Sequence, residues 1–240
     1  MNSKRFLGLV ALAAASSLAG FTAQAGTLGI QYFDVANTGP AGDFGVCCGP
    51  PASTQEVVAL GSALGPDGLP VATLGSVNDQ NGTGEILWWS TASTSPVVNS
   101  TGSGTFTLGP LTNMFAPNNT GPDNSSFFET AILSGTLTGT GADAKITIIS
   151  DDDALVYLNG LYVGGNPGVH PDETAVIDLG HLTGSNSLEI FYADRARVGA
   201  DLSVNIAGAS VPEPAAWALM LVGFGGLGAA LRGRRLLTAA

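Results

Sequence analysis

Apolar and β-branched residues fall in short runs along this chain between clusters of Gly, Pro, Asn and Asp, the pattern of antiparallel strands joined by turns. The runs are Leu28–Phe33, Glu56–Leu60, Glu85–Trp89, Gly104–Leu108, Phe128–Leu137, Ala144–Ile149, Ala154–Leu158, Leu161–Val163, Thr174–Leu179, Ser187–Tyr192 and Leu202–Ile206. Spacings of roughly ten residues point to a sandwich or barrel. Asn159-Gly160, between two of the runs, predicts a two-residue type I′ hairpin. The stretch Asn78–Ser126 is rich in Asn, Thr, Ser, Gly and Pro and predicts long surface loops. The predicted fold class is all-β, an antiparallel β-sandwich.

Composition agrees. Charged residues make up 11% of the 240 residues and glycine numbers 34, against about 25% charged and ~7% glycine in an average domain. A helix bundle needs Glu, Lys and Arg on its solvated faces, and these are scarce. Disorder needs an apolar-poor chain, whereas 45% of this one is hydrophobic.

The two ends follow other patterns. Met1–Ala25 has Lys4 and Arg5, an apolar run from Phe6 to Phe21, and Ala23-Gln24-Ala25 before Gly26. This is the layout of a secretory signal cleaved between Ala25 and Gly26. At the other end Val211-Pro212-Glu213-Pro214 precedes the uncharged stretch Ala215 to Leu231, then Arg232, Arg234 and Arg235. Such a stretch is at the lower limit for crossing a bilayer, with the arginines cytoplasmic. Motif, span and basic tail, in that order over 211–240, resemble the PEP-CTERM sorting signal of exopolysaccharide-producing Gram-negative bacteria. The resemblance implies processing by an exosortase, a membrane cysteine protease. It also implies a transient hold in the inner membrane through a helix at 215–231, then delivery to the cell surface or extracellular matrix.

Residues 26–210 form the predicted sandwich domain. From Gly26 to Val211 only Lys145, Arg195 and Arg197 are basic, against 18 acids, so the formal charge is −15 where the whole chain carries −11. Nucleic acid is excluded as a partner, because phosphate neutralisation needs clustered Lys and Arg. Cations are attracted. Cys47 and Cys48 are the two cysteines; a vicinal disulfide and an intermolecular bridge are both open, and neither defines a zinc site.

The densest charge is Ser150-Asp151-Asp152-Asp153, between two predicted strands. Neighbouring carboxylates repel unless a cation or donors neutralise them, and calcium takes six to eight oxygen ligands. A solvated turn, with the aspartates accepting backbone N–H bonds, is the other reading. Ile149 to Gly160 resembles the core motif of the protective-antigen-like lectin domains, and more closely their bacterial fibro-slime branch. Gly168-Val-His-Pro171, Ile190-Phe-Tyr-Ala-Asp-Arg195 and Gly199-Ala-Asp-Leu-Ser-Val-Asn205 follow in the same order, so the resemblance covers about 136–206. It implies a sandwich in which Asp151 and Asp152, with Asp153 beside them, bind calcium that also contacts sugar hydroxyls. Successive strand side chains point to opposite faces, so two adjacent aspartates reach one ion only through non-strand backbone; flocculin-type lectins use a cis peptide there. The resemblance adds a ligand loop near Asp194, Arg195, Arg197 and Asp201.

His170 could line that site or cap its turn. Trp88 and Trp89, on one predicted strand, would face opposite sides; core or edge packing is the expectation, with a sugar-stacking platform as the alternative for one of them. No nucleophile elbow accompanies the serines, so no enzyme is expected. The expected function is a calcium-dependent carbohydrate-binding or adhesion module linked to exopolysaccharide or biofilm. A structural matrix protein without ligand and a surface polysaccharide hydrolase are the alternatives.

Overall fold

The computed structural model describes residues 26–36, 43–45, 57–73, 77–94, 96–115, 127–196 and 199–211. The expected signal segment 1–25, the sorting segment from Pro212 onward with the helix expected at 215–231, Cys47, Cys48 and Arg197 lie outside them. Among the described residues no helix is long and apolar enough to cross a membrane.

The strands are β1 (Thr27–Ala36), β2 (Val98–Thr107), β3 (Thr112–Asn113), β4 (Phe127–Ser150), β5 (Asp153–Leu158), β6 (Leu161–Asn166), β7 (Glu173–Ala193), β8 (Asp201–Ala207) and β9 (Ala209–Ser210). They form one antiparallel sheet with the order β2-β1-β4-β7-β5-β6, to which β8 and β9 add along β4 and β3 along β8. Four predicted strands merge into two: Phe128–Leu137 with Ala144–Ile149 as β4, and Thr174–Leu179 with Ser187–Tyr192 as β7. The intervening glycines read as strand breaks but act as bends. The β4–β7 ladder runs from Thr130↔Ala193 to Ser150↔Glu173, with register shifts at 140–142 and 144–145. Gly141 has φ +76°, and a Cβ on Gly139 would fall on the Leu182 backbone. At these bulges the paired strands bend, as bulged strands do, and the ribbon folds over.

The fold-over creates the sandwich. Alternate residues from both halves of the ribbon, Leu133, Leu137, Ile146 and Ile148 of β4 and Ile177, Leu188, Ile190 and Tyr192 of β7, meet in one buried cluster with Val156 of β5 and Val204 of β8. A second cluster covers the outer face of the layer made by β1, the start of β4, the end of β7 and β5, where Phe128, Leu155, Tyr157 and Phe191 pack against Phe44, Val57, Val58, Ile86, Trp88 and Trp89.

Two predicted strands are absent. Val57–Val58 is a bend with both side chains buried. Glu85–Trp89 becomes isolated bridges at Glu85 and Ile86 followed by a 3₁₀ turn at Leu87–Trp89. The fully buried Glu85 carboxylate takes N–H groups from Asp67 and side-chain donors from Asn81 and Thr83, so the local backbone is organised around that side chain, not a ladder. The turn sends both tryptophans inward, at 0% and 2% exposure. Neither is a sugar-stacking platform; their N–H groups donate to Asp43 Oδ2 and the Tyr192 carbonyl. The predicted hairpin is present, with φ +52° at Asn159 and +76° at Gly160.

Candidate functional site: an acidic pole

Because the ribbon folds over, both of its ends arrive at one pole. Ser150 ends β4, Ala193 ends β7 and Asp153 opens β5 opposite Ala193. Between them Asp151 and Asp152 leave strand geometry, Asp152 with φ +60°, a conformation Asp tolerates better than most residues. Asp151 N donates to the Asp201 carbonyl at 3.0 Å and Asp152 N to the His170 carbonyl at 3.1 Å. Ser150 Oγ donates to the Asp152 carbonyl at 2.9 Å and accepts from Asn166 Nδ2 at 3.0 Å.

The three aspartates are in different situations. Asp153 is fully buried; its Oδ1 accepts from Gly168 N at 2.7 Å and its Oδ2 from Arg195 Nη1 at 3.1 Å. Asp152, also fully buried, accepts three backbone N–H groups: His170 on Oδ1 at 2.8 Å, and Arg195 and Ala196 on Oδ2 at 2.6 and 2.5 Å. Burial raises both carboxyls, and these donors work to lower them. Asp151 is buried without comparable donors. Burial, then the charges of Asp152, Asp172 and Asp201, push its carboxyl up to about 7, with His170 working the other way. A Cβ on Gly199, at φ +85°, would fall on Asp151 Oδ2, so the 199–201 segment presses directly on this carboxylate.

The predicted ligand residues separate. Arg195 is 6% exposed; its Nε donates to the Asp43 carbonyl at 2.8 Å and its guanidinium lies 4.7 Å over the Trp88 ring. It braces the pole from within and does not present its charge to solvent. Asp194 is fully buried and its N donates to the Glu129 carbonyl. Asp201 is half-buried at the start of β8, its carboxyl raised by burial and Asp172. His170 is buried: its Nδ1 donates to the Pro171 carbonyl at 2.9 Å, its backbone clamps Asp152, and its Nε2 has no hydrogen-bond partner. The Tyr192 hydroxyl, fully buried, also has none.

Asp172, Asp43, Gly199 and Tyr192 were not singled out as site residues from sequence. Asp172 directly follows the Gly168–Pro171 motif, and Tyr192 stands two before Asp194, where strand alternation puts both on one side. Those two were within reach. Asp43 was not, since its partners lie 35 to 152 residues away.

Among the described residues no three His, Cys, Asp or Glu side chains gather closely enough to hold a metal ion by themselves. A cation here needs Asp151 and Asp152 to be supplemented by main-chain, water or ligand oxygens, which calcium accepts. The donor set fits such an ion in two respects: Asp151 stands among carboxylates with no Lys or Arg bonded to it among the described residues, and two buried polar atoms nearby are unsatisfied.

Comparison with known proteins bears mainly on the tail. Among solved structures the chain is similar to the PA14 sugar-binding domain from an RTX adhesin, at 22% identity over 35% of this chain and 51% of that one, with TM-score 0.31. It is similar to the PA14 domain of the MpAFP antifreeze protein at 14% identity over 37% and 50%, with TM-score 0.31. A beta-glucosidase from Kluyveromyces marxianus in complex with glucose matches at 13% over 55% and 15%, with TM-score 0.34. The matched region spans about half the length of the two PA14 chains. No curated protein matches. The family model described as the PEP-CTERM protein-sorting motif matches residues 210–235, a stretch that includes Pro212-Glu213-Pro214. The chain therefore carries the PEP-CTERM sorting motif of an exported protein processed by an exosortase.

Proposed function

We propose that the sandwich is a calcium-dependent carbohydrate-binding module that meets extracellular polysaccharide at its acidic pole. One observation carries the reading: Asp151 is a buried carboxylate facing Asp152, Asp172 and Asp201, a concentration of negative charge that a divalent cation would relieve. Asp151 and Asp152 would hold the ion and polysaccharide hydroxyls would complete its oxygen shell. The pole suits binding better than proton transfer, because Asp152 and Asp153 are tied to main-chain N–H groups and to Arg195. Sorting through the exosortase route places the module on the outside of the cell, where free calcium and polysaccharide are met together.

Isothermal titration of calcium into the full chain, purified in detergent after chelation, tests this. Wild type takes up one ion; the Asp151→Asn/Asp152→Asn double variant, with unchanged far-UV circular dichroism, takes up none. Equal uptake by both proteins, or none by wild type, refutes the proposed site. A glycan array with and without calcium then separates the module from a structural matrix protein, which would stay silent in both.

A further inference from the structure

We propose that the Tyr192 hydroxyl is a buried hydrogen-bond donor to the cation site, directed from the sandwich interior at the oxygens around the ion. The inference rests on the calcium reading above. Along β7 the alternation Leu188, Ile190, Tyr192 places these side chains in the interior cluster. Tyr192 pairs with Ala131 of β4 and Ala154 of β5, one residue from the Ala193–Asp153 pair that marks the acidic pole. Its side chain is fully buried, and its hydroxyl has no hydrogen-bond partner. Buried polar atoms are nearly always satisfied, and an exception calls for an explanation such as an ion or water.

The surroundings identify the explanation. Apart from burial, the charges the phenol meets are the carboxylates of Asp194, Asp152, Asp151 and Asp201, and toward carboxylate oxygens a tyrosine hydroxyl acts as a donor. Tyr157 makes the contrast. Its hydroxyl is equally buried, but it lies against the Ser62 side chain and its ring belongs to the outer cluster, against Tyr162 and Phe191. Of the two hydroxyls, Tyr192 has the aspartate run around it. A donor to a ligand oxygen fixes that oxygen's orientation, and losing such an outer partner lowers metal affinity by roughly ten- to a hundredfold.

Tyr192→Phe keeps the ring and removes the one oxygen. The full chain in detergent is melted in EGTA and in excess calcium chloride, and calcium is titrated calorimetrically, for wild type, Tyr192→Phe and Tyr157→Phe. Tyr192→Phe is expected to melt higher than wild type in EGTA, since an unsatisfied buried hydroxyl is gone. In calcium it is expected to gain less and to bind roughly tenfold more weakly. Tyr157→Phe is expected to bind calcium as wild type does. If wild type binds calcium and Tyr192→Phe binds it equally well, or if both Phe variants lose affinity alike, the assignment to Tyr192 fails while the calcium site stands. If wild type neither binds calcium nor is stabilised by it, the functional reading fails and this inference with it.

Discussion

Arg195 places Nη1 on Asp153 Oδ2 at 3.1 Å, Nε on the Asp43 carbonyl and its cationic face on Trp88, while its backbone N–H donates to Asp152. The side chains of the ion pair are 8% and 0% exposed. Removing one partner of such a pair strands a buried charge, at a cost of about 3–5 kcal/mol. Arg195→Met and Asp153→Asn are each expected to lower unfolding free energy by that order in urea titrations. The double variant should lose clearly less than the two losses combined, because no charge is left unpaired. Strict additivity would show that the two charges do not stabilise one another. This pair also marks the limit of reading the residues in order. Asp151-Asp152-Asp153 was recognisable as the focus of negative charge, and the calcium reading treats it as one group. Which aspartate meets an arginine, which meets N–H groups and which meets other carboxylates depends on residues up to 44 positions away, and composition contains no information about that.

At the scale of elements, strand alternation was the dependable signal: β1, β5, β6 and β8 lie where the apolar runs placed them. The ribbon of β4 and β7 was harder, since a glycine that ends a strand and one that bends it look alike until a partner strand is present. The 77–94 segment departed furthest, because carboxylates organise it. Asp43 accepts from the backbone N–H groups of Asn78 and Asp79 and from Trp88 Nε1, and Asp79 lies beside it. Burial first, then the Asp43 charge, raise the Asp79 carboxyl from 3.8 to about 7. A carboxyl raised in the folded state holds a proton that the unfolded chain has released, so its contribution is complete below about pH 4, declines from there, and is lost above about pH 7. Asp79→Asn keeps the neutral shape at every pH. It is expected to match wild type in melting temperature at pH 4 and to exceed it by a growing margin up to pH 8. A constant difference across that range would mean that Asp79 titrates normally.

Over the described body, the fold-over that gathers the acidic pole sends Gly26 and Val211 to the opposite one. Ser210 and Ala209 pair with Thr138 and Gly139 at the bend, and a Cβ on Gly26 would meet Val211 Cβ at 2.7 Å. From Leu137, at the level of these ends, to Thr130, at the level of Asp153, is seven residues along β4, or about 23 Å at strand rise. That exceeds two Debye lengths of about 8 Å at physiological ionic strength. Val211, the last described residue before the sorting motif, therefore lies at the same pole as Gly26, and a protein held through the segment that follows is expected to present its acidic pole away from the attachment. At an anionic membrane the 26–211 segment, at −15, would gain from such an arrangement, because its densest charge would be kept beyond the range of repulsion. Capturing the full chain on a surface through a tag after residue 231 is expected to leave calcium affinity equal to that in free solution. Capture through a cysteine placed at Asp172 (D172C, in a variant with Cys47 and Cys48 changed to serine) is expected to reduce it, because that residue faces Asp151. Both affinities are read by the same calcium titration on the same surface. Loss of affinity on C-terminal capture alone would mean that the tail and the acidic pole work on one face.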